Sequence, residues 1–261
     1  MDAFLDNLIC STAWPMTPPA PYGPFHLCFA FVGFALCVLA ARALRKVGDK
    51  GNRIVLLSCG LFLLVSEVYK QLFYYYYVGE HSYQWWIFPF QLCSVPMYLC
   101  LLGPLLKPGK VQKGMYNFMM IYNLLGGFMA FVEPSGIIHE YWTLTLHAFI
   151  WHMMLVFIGL YLAFSGRAGK TMADYKTASV TFLALSAIAF CINLLLRDVS
   201  GGDINMFFVG PSNSSLVVFS WISETFGWYV STALYLPVVC LGAFLFFLPF
   251  HLHAKRRSVP V

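Results

Sequence analysis

The residues able to do chemistry in this sequence are a thiol, two imidazoles, a few charges and several amides, all set among apolar neighbours. Cys93 closes the run Pro89-Phe90-Gln91-Leu92-Cys93, and Pro96 follows three residues later. His147 and His152 share one apolar stretch. Five residues apart on a helix, they point roughly 140° from one another. Glu67 stands three residues before Lys70 and four before Gln71, so all three share one helix face. Asn193, Arg197 and Asp198 follow one another closely, and Asn205 lies in a Gly-, Ser- and Asn-rich stretch. A thiol near an imidazole suits nucleophilic catalysis. Charges inside an apolar helix suit a phosphate or carboxylate site, or ion coupling. Each group also has a plainer use: filler for the cysteine, a satisfied core position for a lone histidine, an ordering ion pair for Glu67 and Lys70. No His pair at i,i+4 and no HxxEH-type motif occurs. Neither a metal nor a cofactor is expected.

The elements that must carry these groups are membrane helices. Of 261 residues, 60% are hydrophobic and 10% charged, against about 25% charged in a soluble domain. Seven apolar stretches, 24–44, 54–78, 87–106, 113–132, 142–165, 176–197 and 227–250, reach or approach the roughly 20 residues that span a bilayer. They are continuous rather than alternating, so helices are expected and a barrel is not. The expectation is an all-α polytopic bundle of seven transmembrane helices. It divides into an N-terminal segment 1–23, one membrane domain 24–250 and a basic tail 251–261. Residues 1–23 are Pro-rich and carry no Lys or Arg, unlike a signal peptide. The eight cysteines show no CxxC, and seven fall in expected helices.

Charge gives an orientation. The first, third and fifth loops and the tail hold 14 of the 16 Lys and Arg. The intervening loops hold Glu80, Glu133, Glu140 and Asp203. Short basic loops stay in the cytoplasm, so the N-terminus is expected outside and the C-terminus inside. The net charge of +5 is thus a topology signal and not a nucleic-acid footprint. Tyr74–Tyr77 and Trp85-Trp86 fall at the outer interface, where amphipathic rings favour the headgroup level. The long connection 198–226 is expected to be a re-entrant or lid segment.

Depth gathers the chemistry. At about 1.5 Å per residue, Cys93 lies about 9 Å below the start of its stretch and His152 about 15 Å below the start of its own. Glu67 and Lys70 lie roughly 12–16 Å below the outer end of theirs. An outward-opening polar cavity is the economical account.

Several ordered segments carry a resemblance. They are Glu67 with Lys70, Pro89–Cys93, Leu124–Pro134, His152 followed by Leu160-Tyr161-Leu162, Asn205-Met206-Phe207-Phe208, and Phe226-Gly227-Trp228-Tyr229. In these the chain resembles the YwaF-like bacterial membrane proteins and their eukaryotic relatives, the transmembrane protein 164 family. Gln91 stands where bacterial members commonly have His, which is nearer the eukaryotic pattern. The Asn205 segment departs from the usual tyrosine-containing form. Eukaryotic members are regarded as acyltransferases that remodel phospholipids through a Cys and a His. The resemblance puts those roles on Cys93 and His152, with phospholipid and lysophospholipid as partners. It implies that Lys70 and Arg197 hold the phosphate and that Gln91, Asn193 or Asn205 donates to the oxyanion. Glu67 would orient His152 or pair with Lys70, and His147 would line the same site. Two other readings suit the same residues: a lipid ester hydrolase, with water as acceptor, and a transporter using the intramembrane charge pairs. The membrane would be the plasma membrane in a bacterium and an endomembrane in a eukaryote.

Overall fold

The computed structural model describes residues 2–258. A short helix α1 (Asp2–Cys10) precedes α2 (Pro24–Leu44), whose Pro24 occupies the first turn, where a missing N–H costs nothing. Helix α3 (Asp49–Phe73) continues through a π turn over Tyr74–Val78. The later helices are α4 (Val95–Leu102), α5 (Lys110–Val132), α6 (Trp142–Phe164), α7 (Met172–Leu196), α8 (Val217–Phe226) and α9 (Trp228–Ser258). Among the described residues the architecture is all helical. Six helices are long and apolar enough to cross a membrane: α2, α3 with its π turn, α5, α6, α7 and α9. The chain is an integral membrane protein, and its ends are named below by charge, basic or acidic.

The stretch 87–106, expected as a full span, is different. A single 3-10 turn at Trp85–Ile87 leads into turns as far as Ser94. Only then does α4 begin, and it runs on through a 3-10 turn at Gly103–Leu105. Proline explains this. Phe88, before Pro89, is pushed out of the helical region, as a residue before proline prefers, whereas Val95, before Pro96, is already helical. Pro96 sits in the first turn of α4, where its missing N–H costs nothing, and so starts a helix. The segment still descends through the bundle. Gly60 in the middle of α3 lies against Leu101, and Gly103 lies against Tyr116 of α5.

Small residues set the tightest seam. A Cβ on Gly127 of α5 would lie 2.8 Å from the His152 carbonyl, and one on Gly159 of α6 would lie 2.7 Å from Leu124. Close approach at such residues is how membrane helices gain packing without a hydrophobic drive. Helix α2 packs on the far side of α6 through Phe25, Phe29 and Phe149.

The basic end is heavily wired. Thr171 and Asp174 form a capping box at the start of α7. Lys113 reaches Asp174 at 2.6 Å, and Asn117 bridges Asp174 to the Gly169 amide. Arg167 pairs with Asp49, and Tyr161 donates to Asn52 at 3.0 Å. These bonds join α3, α5, α6 and α7 at one level.

Helix also forms at both ends of the chain. Segment 1–23 contains α1, and Thr12 there meets the Tyr69 hydroxyl at 2.6 Å. In segment 251–261, α9 continues to Ser258; residues 259–261 lie outside the described residues.

Candidate functional site

Cys93 occupies the irregular segment and lies just before α4, whose N-cap is Ser94. Irregular backbone at membrane depth survives only where protein buries it or a cavity hydrates it. Here protein does the work. Trp151 of α6 donates its indole N–H to the Cys93 carbonyl at 3.0 Å, and Tyr98 donates to the Pro89 carbonyl at 2.8 Å. The thiol is half-buried, within electrostatic reach of Lys70, Glu67 and the Tyr235 phenol. The other seven cysteines have plainer settings. Cys28 and Cys191 are exposed on helix surfaces, Cys37, Cys59 and Cys100 are buried, Cys10 meets Asp6, and Cys240 meets Tyr122.

Glu67 and Lys70 form an ion pair at 2.9 Å, and Gln71 donates to the same carboxylate oxygen at 2.7 Å and to the Ile87 carbonyl at 2.8 Å. The face shared by these three residues, read from spacing, is therefore built. Glu67 is 3% exposed. Its second oxygen and the Gln71 carbonyl oxygen have no partner. Desolvating a charge costs several kcal/mol, and Lys70 keeps part of its hydration, with 19% of its side chain exposed. Two loop residues surround it. Burial, then Glu67, pushes the Tyr83 phenol up to about 12, so it stays neutral. Burial, then Lys70, lowers the His139 imidazole below its usual value.

The two helical histidines differ in what their bonds leave free. His147 Nε2 meets the Ser66 carbonyl at 3.1 Å, and its ring stacks on Trp151. His152 Nδ1 meets the Ala148 carbonyl at 2.7 Å. A carbonyl cannot donate, so that nitrogen carries the proton and Nε2 keeps a lone pair. His152 sits in the seam over Gly127. Its neighbour Trp151, about 100° round the helix, is the residue that touches the Cys93 backbone.

The three amides expected near an oxyanion are otherwise engaged. Gln91 accepts from the Phe207 N–H at 2.9 Å and donates to the Asn205 carbonyl at 3.2 Å. Asn193 accepts from the Met206 N–H at 2.7 Å and donates to the Met206 carbonyl at 3.0 Å. Asn205 accepts from Gly210 N–H and donates to the Ser212 and Asn213 carbonyls. Gln91 and Asn193 fasten the 198–226 connection to the bundle, and Asn205 ties that connection to itself. Arg197 and Asp198 stand exposed at the end of α7 and make no ion pair among the described residues.

Residue-by-residue reading missed four members of this region. Trp151 and Tyr235 look like ordinary aromatics of apolar helices. His139 looks like a loop residue. Asn123 of α5 is 2% exposed, and neither its amide nitrogen nor its oxygen has a partner. It lies one turn from Gly127, which backs His152, and one turn from Met119, which meets Cys100 of α4. An amide in the apolar middle of α5 was the available signal.

Two apolar grooves flank the site. One of about 490 Å³ runs between α2, α5, α6 and α9, and its Val156 wall lies one turn from His152. The other, about 380 Å³, lies along the α3–α6 seam beside His147. No group of three His, Cys, Asp or Glu gathers for a metal among the described residues.

A bundle of membrane helices holding a thiol and a buried charge pair at one end defines the class of protein, and comparison supplies the family. Residues 21–248 match the TMEM164 family, and the chain belongs to it. No curated protein and no solved structure matches.

Proposed function

We propose that this chain is a membrane-embedded acyltransferase that carries a fatty acyl group on Cys93 between a phospholipid and a lysophospholipid. The observation that carries the reading is the setting of Cys93: an irregular segment held inside the bundle by Trp151, beside the buried Glu67–Lys70 pair. A thiol kept merely as filler needs neither the broken helix nor the charges.

In the first half-reaction His152 Nε2 takes the thiol proton. The sulfur bonds to the ester carbonyl carbon of the donor lipid. As the tetrahedral intermediate collapses, the ester C–O bond breaks, and the departing oxygen regains the proton from His152. The products are an acyl-thioester and a lysophospholipid. In the second half, His152 takes the proton from an acceptor hydroxyl. That oxygen bonds to the acyl carbon, the C–S bond breaks, and the thiol is restored. Asn123 supplies the oxyanion donor, because its buried N–H groups are unpartnered while those of Gln91, Asn193 and Asn205 are engaged. Lys70 attracts the lipid phosphate, and the grooves beside His147 and below His152 take acyl chains. His147, with Nε2 on Ser66, shapes the groove wall. With water as acceptor the same thioester would give hydrolysis.

The test is transfer in proteoliposomes from a phospholipid with a labelled acyl chain to an added lysophospholipid. Cys93→Ala and His152→Ala should each lower transfer by about a hundredfold or more. Undiminished transfer by Cys93→Ala rules the reading out.

A further inference from the structure

The connection between α7 and α8 does not run over the surface. Ile204, Met206, Phe207 and Val209 are each no more than 2% exposed. The Phe207 ring lies 6.2 Å from Phe182, which is 14 residues before the end of α7, and 5.9 Å from Phe90. Phe208 packs edge-on against Tyr235, the phenol within electrostatic reach of Cys93. Phe207 and Phe208 both have positive φ, 56° and 54°. Bulky residues adopt that conformation only under constraint. The constraint is visible. Gln91 and Asn193 grip four consecutive main-chain groups, from the Asn205 carbonyl to the Phe207 N–H. At the rim the Trp86 N–H donates to Asp203 at 3.2 Å. Gly201 and Gly202, both at positive φ, form one flank. Gly210 forms the other, and a Cβ there would strike the Asn193 amide at 2.7 Å. The two irregular segments of the bundle thus lie against one another, and Gln91 of the grip is two residues from Cys93.

We propose that Ile204–Val209 is a latched plug over Cys93 that keeps water from the thioester, so that the acyl group passes to a lipid hydroxyl. This rests on Cys93 being the acyl carrier. Hydrolysis would bond a water oxygen to the acyl carbon, break the C–S bond, return the proton to sulfur and release a fatty acid. A plug latched on the polar side blocks that route and leaves lateral entry from the bilayer open. Gln91 and Asn193 act here as positioning residues through the plug.

The experiment has two readouts on protein in lipid nanodiscs. The first is the rate at which a charged methanethiosulfonate labels Cys93, read on its own peptide with Cys93→Ala as background. The second is the ratio of fatty acid released to acyl group transferred. Gln91→Ala and Asn193→Ala should each speed labelling about tenfold and raise the hydrolysis-to-transfer ratio. Asp203→Ala, at an exposed rim position, should fold normally and shift both in the same direction by less. Labelling equally fast in all four proteins overturns the plug. Faster labelling in the variants with neither hydrolysis nor transfer in any protein supports the plug and overturns the acyl-transfer reading beneath it.

Discussion

Asn123 shows how a single residue can be expensive to keep. A buried amide with no partner costs about 1–3 kcal/mol, and apolar replacement removes that cost. Asn123→Leu should therefore raise the thermal midpoint by a few degrees while lowering acyl transfer. A variant that is both less stable and fully active would deny Asn123 a role at the site. His139 gives a pH signature. Burial, then Lys70, lowers its folded pKa below the usual 6.5, so the unfolded chain binds the proton more readily. Stability from this group is fully present above about pH 6.5 and falls as pH drops toward the folded pKa. Melting curves of wild type and His139→Gln between pH 8 and pH 5 should diverge, with the variant flatter. At this scale the sequence was partly legible. Glu67, Lys70 and Gln71 could be put on one face because helical spacing alone decides that. The partners of Gln91, Asn193 and Asn205 could not be read, because each bonds to main chain of a loop whose path no local pattern specifies.

Among the elements, the long helices follow directly from apolar length: α2 spans the same residues, 24–44, that the apolar stretch does. The stretch 87–106 misled because hydropathy counts residues and ignores where a chain can stay helical. Pro89 and Pro96 carried the information: the residue before Pro89 leaves the helical region, and Pro96 fits only the first turn of a helix. The α5–α6 seam offers a matched test. Gly127→Leu must displace Val156 or the His152 backbone, whereas a Cβ at Gly126 meets nothing within 4 Å. Gly127→Leu should cost about 1–3 kcal/mol and abolish activity with it. Gly126→Ala should be neutral or slightly stabilising. Equal effects at the two positions would mean that the seam does not position His152.

Across the whole molecule, charge divides the two ends, and the networks differ in kind. The basic end is tied by ion pairs around Asp174 and Asp49, although the Tyr116 and Ser165 hydroxyls there have no partner. The acidic end holds the unsatisfied atoms of Glu67 and Gln71, and Cys93 stands near them. The loop charges were read as a cytoplasmic basic end, and matched substitutions can test it. Gly48 and Gly136 sit in loops at opposite ends with open space around each. In sealed cells, Gly136→Cys should react with an impermeant maleimide and Gly48→Cys should react only after permeabilisation. The reverse pattern would turn the molecule over and put the site on the cytoplasmic side.

The central claim is a covalent bond, so the most direct measurement is intact mass. Purified wild type, Cys93→Ala and His152→Ala would be incubated with mixed phospholipids and weighed. The account predicts one added acyl mass on wild type, removed by hydroxylamine, a much slower adduct on His152→Ala, and none on Cys93→Ala. The same adduct on Cys93→Ala, or no adduct on any of the three, would contradict it.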